Sequence, residues 1–233
     1  MSERKTLEAA SDIEALDQLL EVAGLDLVDV GCGAGKLSRE LAQRGARVLG
    51  VDPDAIQAAK NREAPAEEGL RFAEAPAIAL PLDDGSQDGV IMSRSLHHMA
   101  IDEMEPALRE AVRVLRRSGF LYVLEPDYSG SYWDLQKSFN NESPARLAAL
   151  EILDRAAPAL FGEMQEYWYD LSMSFADFET YLEATLSRTH VKFERHRVDT
   201  PEVRARFEAA RGEDGHRFAQ PVRLRLYRGI NNG

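Results

Sequence analysis

Short apolar runs alternate with longer amphipathic stretches along most of this chain. Leu25, Leu27, Val28 and Val30 mark the first apolar run, over residues 25–30, which passes directly into Gly31, Gly33 and Gly35. A helix is expected over 35–44. A second apolar run, 46–51, ends at Asp52, and Pro53 and Asp54 open a helix to about Arg62. Proline suits a first helical turn, and aspartate helps to cap it. Further strands are expected at 70–74, 89–93 and 120–124. Between the last two, residues 102–116 repeat at three and four (Met104, Ala107, Leu108, Ala111, Val112, Leu115), the period of a half-buried helix. Arg116-Arg117-Ser118-Gly119 would end it, with cations at its negative pole. Near-continuous apolar strands alternating with helices predict a parallel sheet covered on both faces. Ahead of the core, residues 6–23 read as one amphipathic helix (Leu7, Ala10, Ile13, Leu16, Leu20, Ala23) stopped by Gly24.

The pattern changes after Leu124. Glu125-Pro126-Asp127 ends the fifth strand, and Tyr128 to Trp133 is aromatic and glycine-rich. Helices are expected at 141–160, from Glu163 to Leu171 and from Phe175 to Leu186. Segment 127–187 therefore reads as a helical insertion over the carboxyl ends of the strands, where open α/β sheets bind ligands. The tail returns to strands, one marked by Val191, Phe193 and Val198, the last by the alternation of 221–228. A helix with Pro201 in its first turn, running to about Arg211, lies between them.

The chemistry starts at the glycines. A buried strand feeding a glycine turn and a helix start makes a cradle: the backbone turns sharply, a ligand approaches closely, and unpaired N–H groups face it. An acid about 20 residues beyond the first glycine, at the end of the next strand, is placed to hold two ribose hydroxyls. Asp52 stands there. The spacing is G-x-G-x-G rather than the dinucleotide G-x-G-x-x-G.

Asp29-Val30-Gly31-Cys32-Gly33-Ala34-Gly35 resembles the D/E-x-G-x-G-x-G run of the class I S-adenosylmethionine (SAM)-dependent methyltransferases. Leu80-Pro81, Asp84, Ser86, Asp88 and His97-His98 add a likeness to the small-molecule type 11 group, which includes ubiquinone/menaquinone-biosynthesis-like enzymes. The resemblance covers about residues 24–126. It implies a Rossmann-like α/β fold: a seven-stranded, mostly parallel sheet in the order 3-2-1-4-5-7-6, finished by an antiparallel hairpin. It also implies a division into an N-terminal lid helix (1–24), a SAM-binding core (25–126), a helical substrate cap (127–187) and C-terminal strands (188–233). SAM would meet Asp29, Gly31, Cys32, Gly33, Gly35, Asp52, Pro53, Pro76, Ala77 and Ser93. Pro76 departs from the family, which carries there an acid for the adenine amino group; adenine contact then falls to the Ala77 N–H and apolar groups.

Methyl transfer from a sulfonium is an in-line displacement, so the protein mainly positions a nucleophile and excludes water. A base is needed only for a nucleophile that carries a proton. His97 and His98, after the fourth strand, are the catalytic candidates, weighed against simple packing beside the cofactor. Glu125 and Asp127 either orient substrate or shape the turn. Arg94 could hold an acidic substrate group, or pair with a carboxylate. Tyr128, Tyr132, Trp133 and Tyr167 could line a substrate pocket, or serve as core of the cap.

Bulk properties narrow the picture further. A chain of 233 residues fits one large α/β domain. A formal net charge of −12 disfavours a broad nucleic-acid surface. Arg195, Arg197, Arg223 and Arg225 were they on an edge hairpin would serve against edge pairing, with RNA binding as the alternative. Ser93-Arg94-Ser95-Leu96 lacks the N/D-P-P-Y/F of base and amide methylases. The single cysteine, Cys32, excludes an internal disulfide and reads as a small turn residue. No Cys/His cluster suggests a metal, and no apolar run reaches the roughly 20 residues of a membrane span. The N-terminus lacks a signal-peptide core, so the expected setting is the cytoplasm, as a monomer or homodimer. The leading reading is a SAM-dependent methyltransferase for a small-molecule acceptor. A non-catalytic SAM-fold binding protein, an RNA-directed methyltransferase and a nucleotide-dependent oxidoreductase remain as alternatives.

Overall fold

The protein is described by a computed structural model covering residues 5–188 and 191–231. Residues 1–4 of the expected lid, with residues 189–190 and 232–233 of the expected C-terminal strands, lie outside the described residues.

The elements run β1 (Lys5–Thr6), α1 (Asp12–Asp17), β2 (Asp26–Val30), α2 (Lys36–Gln43), β3 (Arg47–Asp52), α3 (Ala55–Glu63), β4 (Leu70–Glu74) and β5 (Gln87–Ser93). A 3₁₀ turn, Leu96–His98, precedes α4 (Ile101–Val114), β6 (Leu115–Pro126), α5 (Ser131–Gln136) and α6 (Ser143–Leu160). Then come β7 (Phe161–Phe175), α7 (Phe178–Leu186), α8 (Arg195–Val198), α9 (Pro201–Glu208), β8 (Arg211–Gly212) and β9 (Gly215–Ile230).

The strands form one sheet in the order β1-β7-β9-β6-β5-β2-β3-β4, with β8 paired to β9. Strands β4, β3, β2, β5 and β6 are parallel, and β9 runs antiparallel to both β6 and β7. The expected order 3-2-1-4-5-7-6 is therefore present as β4-β3-β2-β5-β6-β9-β7, widened by the two-residue strands β1 and β8. Burial on both faces explains the apolar strands: Leu27, Val28, Val90, Ile91, Leu121 and Leu124 are fully buried. One face packs on α4 and α6 through Met104, Leu108 and Leu153, the other on α1 and α2 through Leu16 and Leu41.

Three expectations are corrected. The N-terminal helix is not 6–23 but the single short α1, started by Ser11, whose side chain accepts from the Glu14 N–H. Glu163 to Leu171 is not helical; it lies in β7. From Tyr167, every second residue is apolar through Leu171, Met173 and Phe175, so the period is two, and the long register with β9 satisfies its backbone. The sixth strand expected around Val191–Val198 is instead the short helix α8 and its approach.

These corrections redraw the cap. Strands β7 and β9 run on together past Pro126, where β6 pairs with Val222 and ends. The overhanging hairpin carries an aromatic cluster: Phe218 packs on Tyr132 of α5 and Phe207 of α9, and Phe207 in turn on Phe178 and Tyr181 of α7. The cap is thus α5–α6 together with α7–α9, the latter inserted within the hairpin, rather than one helical block at 127–187. Its arginines are also placed differently. Arg195 is on α8 and paired with Glu179, and β9 is an interior strand on which Arg225 is buried and paired with Asp154 and Glu166.

Candidate functional site

The chain order reverses between β2 and β5, and the carboxyl ends there open a crevice, as doubly wound sheets do. The crevice is a cleft of about 930 Å³. Its floor is the β2 turn, its sides are the ends of β3 and β5, and its roof is the cap with the segment Ala10–Asp12.

Local chemistry shapes the floor. Gly31, Gly33 and Gly35 all have positive φ (72°, 50° and 71°), which side chains disfavour. They do different things. A Cβ on Gly31 would lie 2.5 Å from the Ser95 Cβ, and one on Gly35 2.5 Å from the Phe72 ring, so both allow close packing. A Cβ on Gly33 would meet nothing within 4 Å, and Gly33 lines the cleft. The free space beside it is where a ligand can approach the backbone.

Asp52 fastens the turn. One carboxylate oxygen accepts the Gly33 N–H at 2.8 Å and the other the Asp54 N–H at 2.9 Å. Asp54 then caps α3 by accepting from Ile56 and Gln57. Asp29 does not line the cleft; it is buried and accepts the Ser38 hydroxyl at 2.6 Å, tying α2 to β2. Burial pushes its carboxyl up to about 6. Burial, with Asp29 and Asp52 nearby, also pushes the Cys32 thiol far up, which keeps it in its unreactive protonated form.

At the opposite end, the 3₁₀ turn presents His97 and His98. The Glu125 carboxylate, at the end of β6, binds His97 Nδ1 and accepts the Leu96 N–H at 3.1 Å. His97 is buried, His98 exposed to the cleft, and their rings lie 4.0 Å apart. Glu142, before α6, faces them from the cap and is held by Asn140 (2.9 Å) and Arg146 (2.6 Å).

Of the residues expected at the site, Gly31, Cys32, Gly33, Asp52, Pro53, Pro76, Ala77, Arg94, His97, His98 and Tyr132 border the cleft. Asp29, Gly35, Ser93, Tyr128, Trp133 and Tyr167 do not. In place of Ser93, Ser95 reaches it. Tyr128 is exposed, the Arg146 guanidinium lies over the Trp133 ring, and Tyr167 sits on β7 beneath the Lys5 amine. Arg94 is spent on Asp12 rather than free for substrate: its guanidinium forms a two-pronged ion pair. Burial works against that charge, and the Asp12 carboxylate outweighs it.

Sequence reasoning missed Asp12, Gln136, Glu142, Arg146, Arg188 and the β7 stretch Leu171–Met173. The period-two alternation of β7 was the available signal for the last. For the others, no spacing in the chain announces a meeting of such distant segments.

The glycine turn, the open space at Gly33 and the carboxylate of Asp52 fit a nucleoside-bearing ligand. Among known proteins, residues 28–123 match a family described as a methyltransferase domain. The chain is 37% identical over 115 residues to a demethylmenaquinone methyltransferase of Thermus thermophilus, a match covering 48% of this chain and 51% of that protein. It is 29% identical over 189 residues to an O-methyltransferase of Aspergillus sclerotiorum, covering 76% and 66%. The match thus spans about half the length of the Thermus relative. A solved structure of a candidate methyltransferase from Bacillus halodurans shares the fold, with TM-score 0.64 at 18% identity over 94% of this chain and 99% of that one.

Proposed function

From the match of residues 28–123 to a methyltransferase domain, we propose that the protein transfers a methyl group from SAM to a small-molecule acceptor. The observation that carries this reading is the pairing of Asp52 with the Gly33 turn at one end of a cleft whose other end holds His97 and His98. SAM supplies a methyl already activated by positive sulfur. The protein's own residues then have three tasks.

Gly33 lets the ligand come close to the backbone, and the Asp52 carboxylate accepts from the ribose hydroxyls. Pro76 and Ala77 wall the adenine side. The cap closes the acceptor side, which excludes water and macromolecules and favours a small molecule. The acceptor's nucleophile arrives beside His97 and His98, and a nucleophile that carries a proton loses it there. On the cap side, Gln136 Nε2 and Arg146 Nε are buried without a protein acceptor, and both residues border the cleft. These donors suit an acceptor molecule rich in oxygen.

The test is calorimetric titration of the protein with SAM and with its demethylated product, S-adenosylhomocysteine, using NAD(H) as control. Micromolar binding of an adenosyl ligand and none of NAD(H) is expected. Binding of NAD(H) in preference to both would overturn the reading in favour of an oxidoreductase.

A further inference from the structure

His97, His98 and Glu142 converge on one point of the cleft. One ligating atom from each lies within 4.8 Å of the other two. We propose that these three side chains bind a divalent first-row transition-metal ion, whose remaining coordination positions open into the cleft and take an oxygen of the acceptor.

The donor set is two imidazoles and a carboxylate, a type that holds zinc or iron(II) while leaving sites open for water and substrate. Metal–ligand bonds of about 2.1 Å require donors roughly 3–4 Å apart, so small side-chain rotations close the site. His98 is exposed and borders the cleft.

Three further observations favour a cation. Glu125 binds Nδ1 of His97, which directs Nε2 away from Glu125 and fixes the ring. A carboxylate behind a ligating histidine is the usual outer support of such sites. Glu142 comes from the cap and the histidines from the sheet, so an ion would join the two walls. Finally, Glu125 on His97 and Glu142 on Arg146 bring two carboxylates to this end of the cleft, which favours a cation there. Arg146 and Asn140 each take one lone pair of Glu142 and leave others for a metal.

The consequence rests on the methyltransferase reading. An acceptor hydroxyl coordinated to the ion has a lowered pKa, its proton passes to solvent water, and the resulting oxygen anion attacks the methyl carbon. The C–S electron pair stays on sulfur, which leaves as a neutral thioether.

The experiment uses the untagged full-length chain, stripped with chelator and titrated with Co²⁺ in the absence of any adenosyl ligand. One equivalent should bind with visible d–d absorption, and Zn²⁺ should displace it. His98→Ala and Glu142→Gln should each weaken Co²⁺ binding by about tenfold or more, and Glu125→Gln by about 10–100-fold. Circular dichroism checks that each variant is folded, and Glu142→Gln keeps an acceptor for Arg146. Absence of d–d bands in the parent protein overturns the site, as does equal binding by parent and both ligand variants. S-adenosylhomocysteine affinity is measured alongside. Loss of adenosyl binding with Co²⁺ binding intact would sink the methyltransferase reading and leave the metal site standing.

Discussion

The guanidinium of Arg94 grips the carboxylate of Asp12 across 82 positions of sequence, with Nη2 2.7 Å from Oδ1, and the Tyr169 hydroxyl donates to the same oxygen at 2.8 Å. This contact draws α1 onto the end of β5 and the middle of β7, over the cleft. Arg94 makes it from φ 54°, the one positive φ at a non-glycine among the described residues. Such backbone costs on the order of 1–3 kcal/mol and clusters at functional sites.

Two variants separate the strain from the pairing. Arg94→Ala and Arg94→Gly both delete the ion pair, but only glycine relieves the backbone. Arg94→Gly should be the more stable of the two by about 1 kcal/mol in urea unfolding. Equal stabilities would show that the backbone relaxes without cost. Asp12→Asn, which leaves Arg94 without its counter-charge, should cost about 1–3 kcal/mol and weaken S-adenosylhomocysteine binding, because Asp12 roofs the cleft.

The glycines of the turn should divide by what lies above them. Gly31→Ala meets Ser95 and carries positive-φ strain, so it should destabilise the protein strongly, by more than about 2 kcal/mol. Gly33→Ala has open space and should cost about 1 kcal/mol in the free protein. Its methyl group intrudes on the ligand's space, so adenosyl binding should fall at least about tenfold. Calorimetry and urea unfolding on the same samples distinguish the two effects. An unchanged affinity in Gly33→Ala would remove this glycine from the site.

Asp52→Asn tests the ribose contact. The amide oxygen can still accept the Gly33 N–H, but the amide nitrogen cannot accept the Asp54 N–H, so unfolding should shift by about 1–2 kcal/mol. Loss of the charge facing two hydroxyls should weaken S-adenosylhomocysteine binding by about 10–100-fold. Wild-type affinity in this variant would exclude Asp52 as the ribose partner.

Asp29 predicts a pH dependence. Burial raises its folded pKa to about 6, from the ordinary aspartate value of 3.8. Between those values the folded state holds more protons than the unfolded one, so stability falls as pH rises through this window and then levels off. The fall is on the order of 2–3 kcal/mol for this group. Asp29→Asn has no such titration. Its stability relative to wild type should therefore be greater at pH 7 than near pH 4, with urea midpoints at both as the measurement. A difference independent of pH would place the Asp29 titration elsewhere.

Much of the core was legible because its signals are local. Gly31, Gly33 and Gly35 adopt the left-handed backbone that glycine permits, and Asp54 caps α3 from the position its spacing suggests. β4 runs over Leu70–Glu74, as its apolar residues and flanking loop predict. Tyr167-Trp168-Tyr169 was misread because aromatic residues fit a half-buried helix and a strand equally well. The pairing of Tyr169 with Val222, 53 residues later, decides between them.

The sequence by itself determined the parallel core and the glycine–acid end of the cleft. There, burial on both faces, turn chemistry and helix caps act between residues near one another in the chain, and they leave a periodic or positional trace. Only the tertiary structure decided that Asp12 meets Arg94, that Glu125 holds His97, and that Glu142 of the cap faces both histidines. The last of these encounters depends on where the cap is set over the ends of the strands. That placement comes from strand register and aromatic packing summed over the whole molecule, and no short stretch of sequence encodes it.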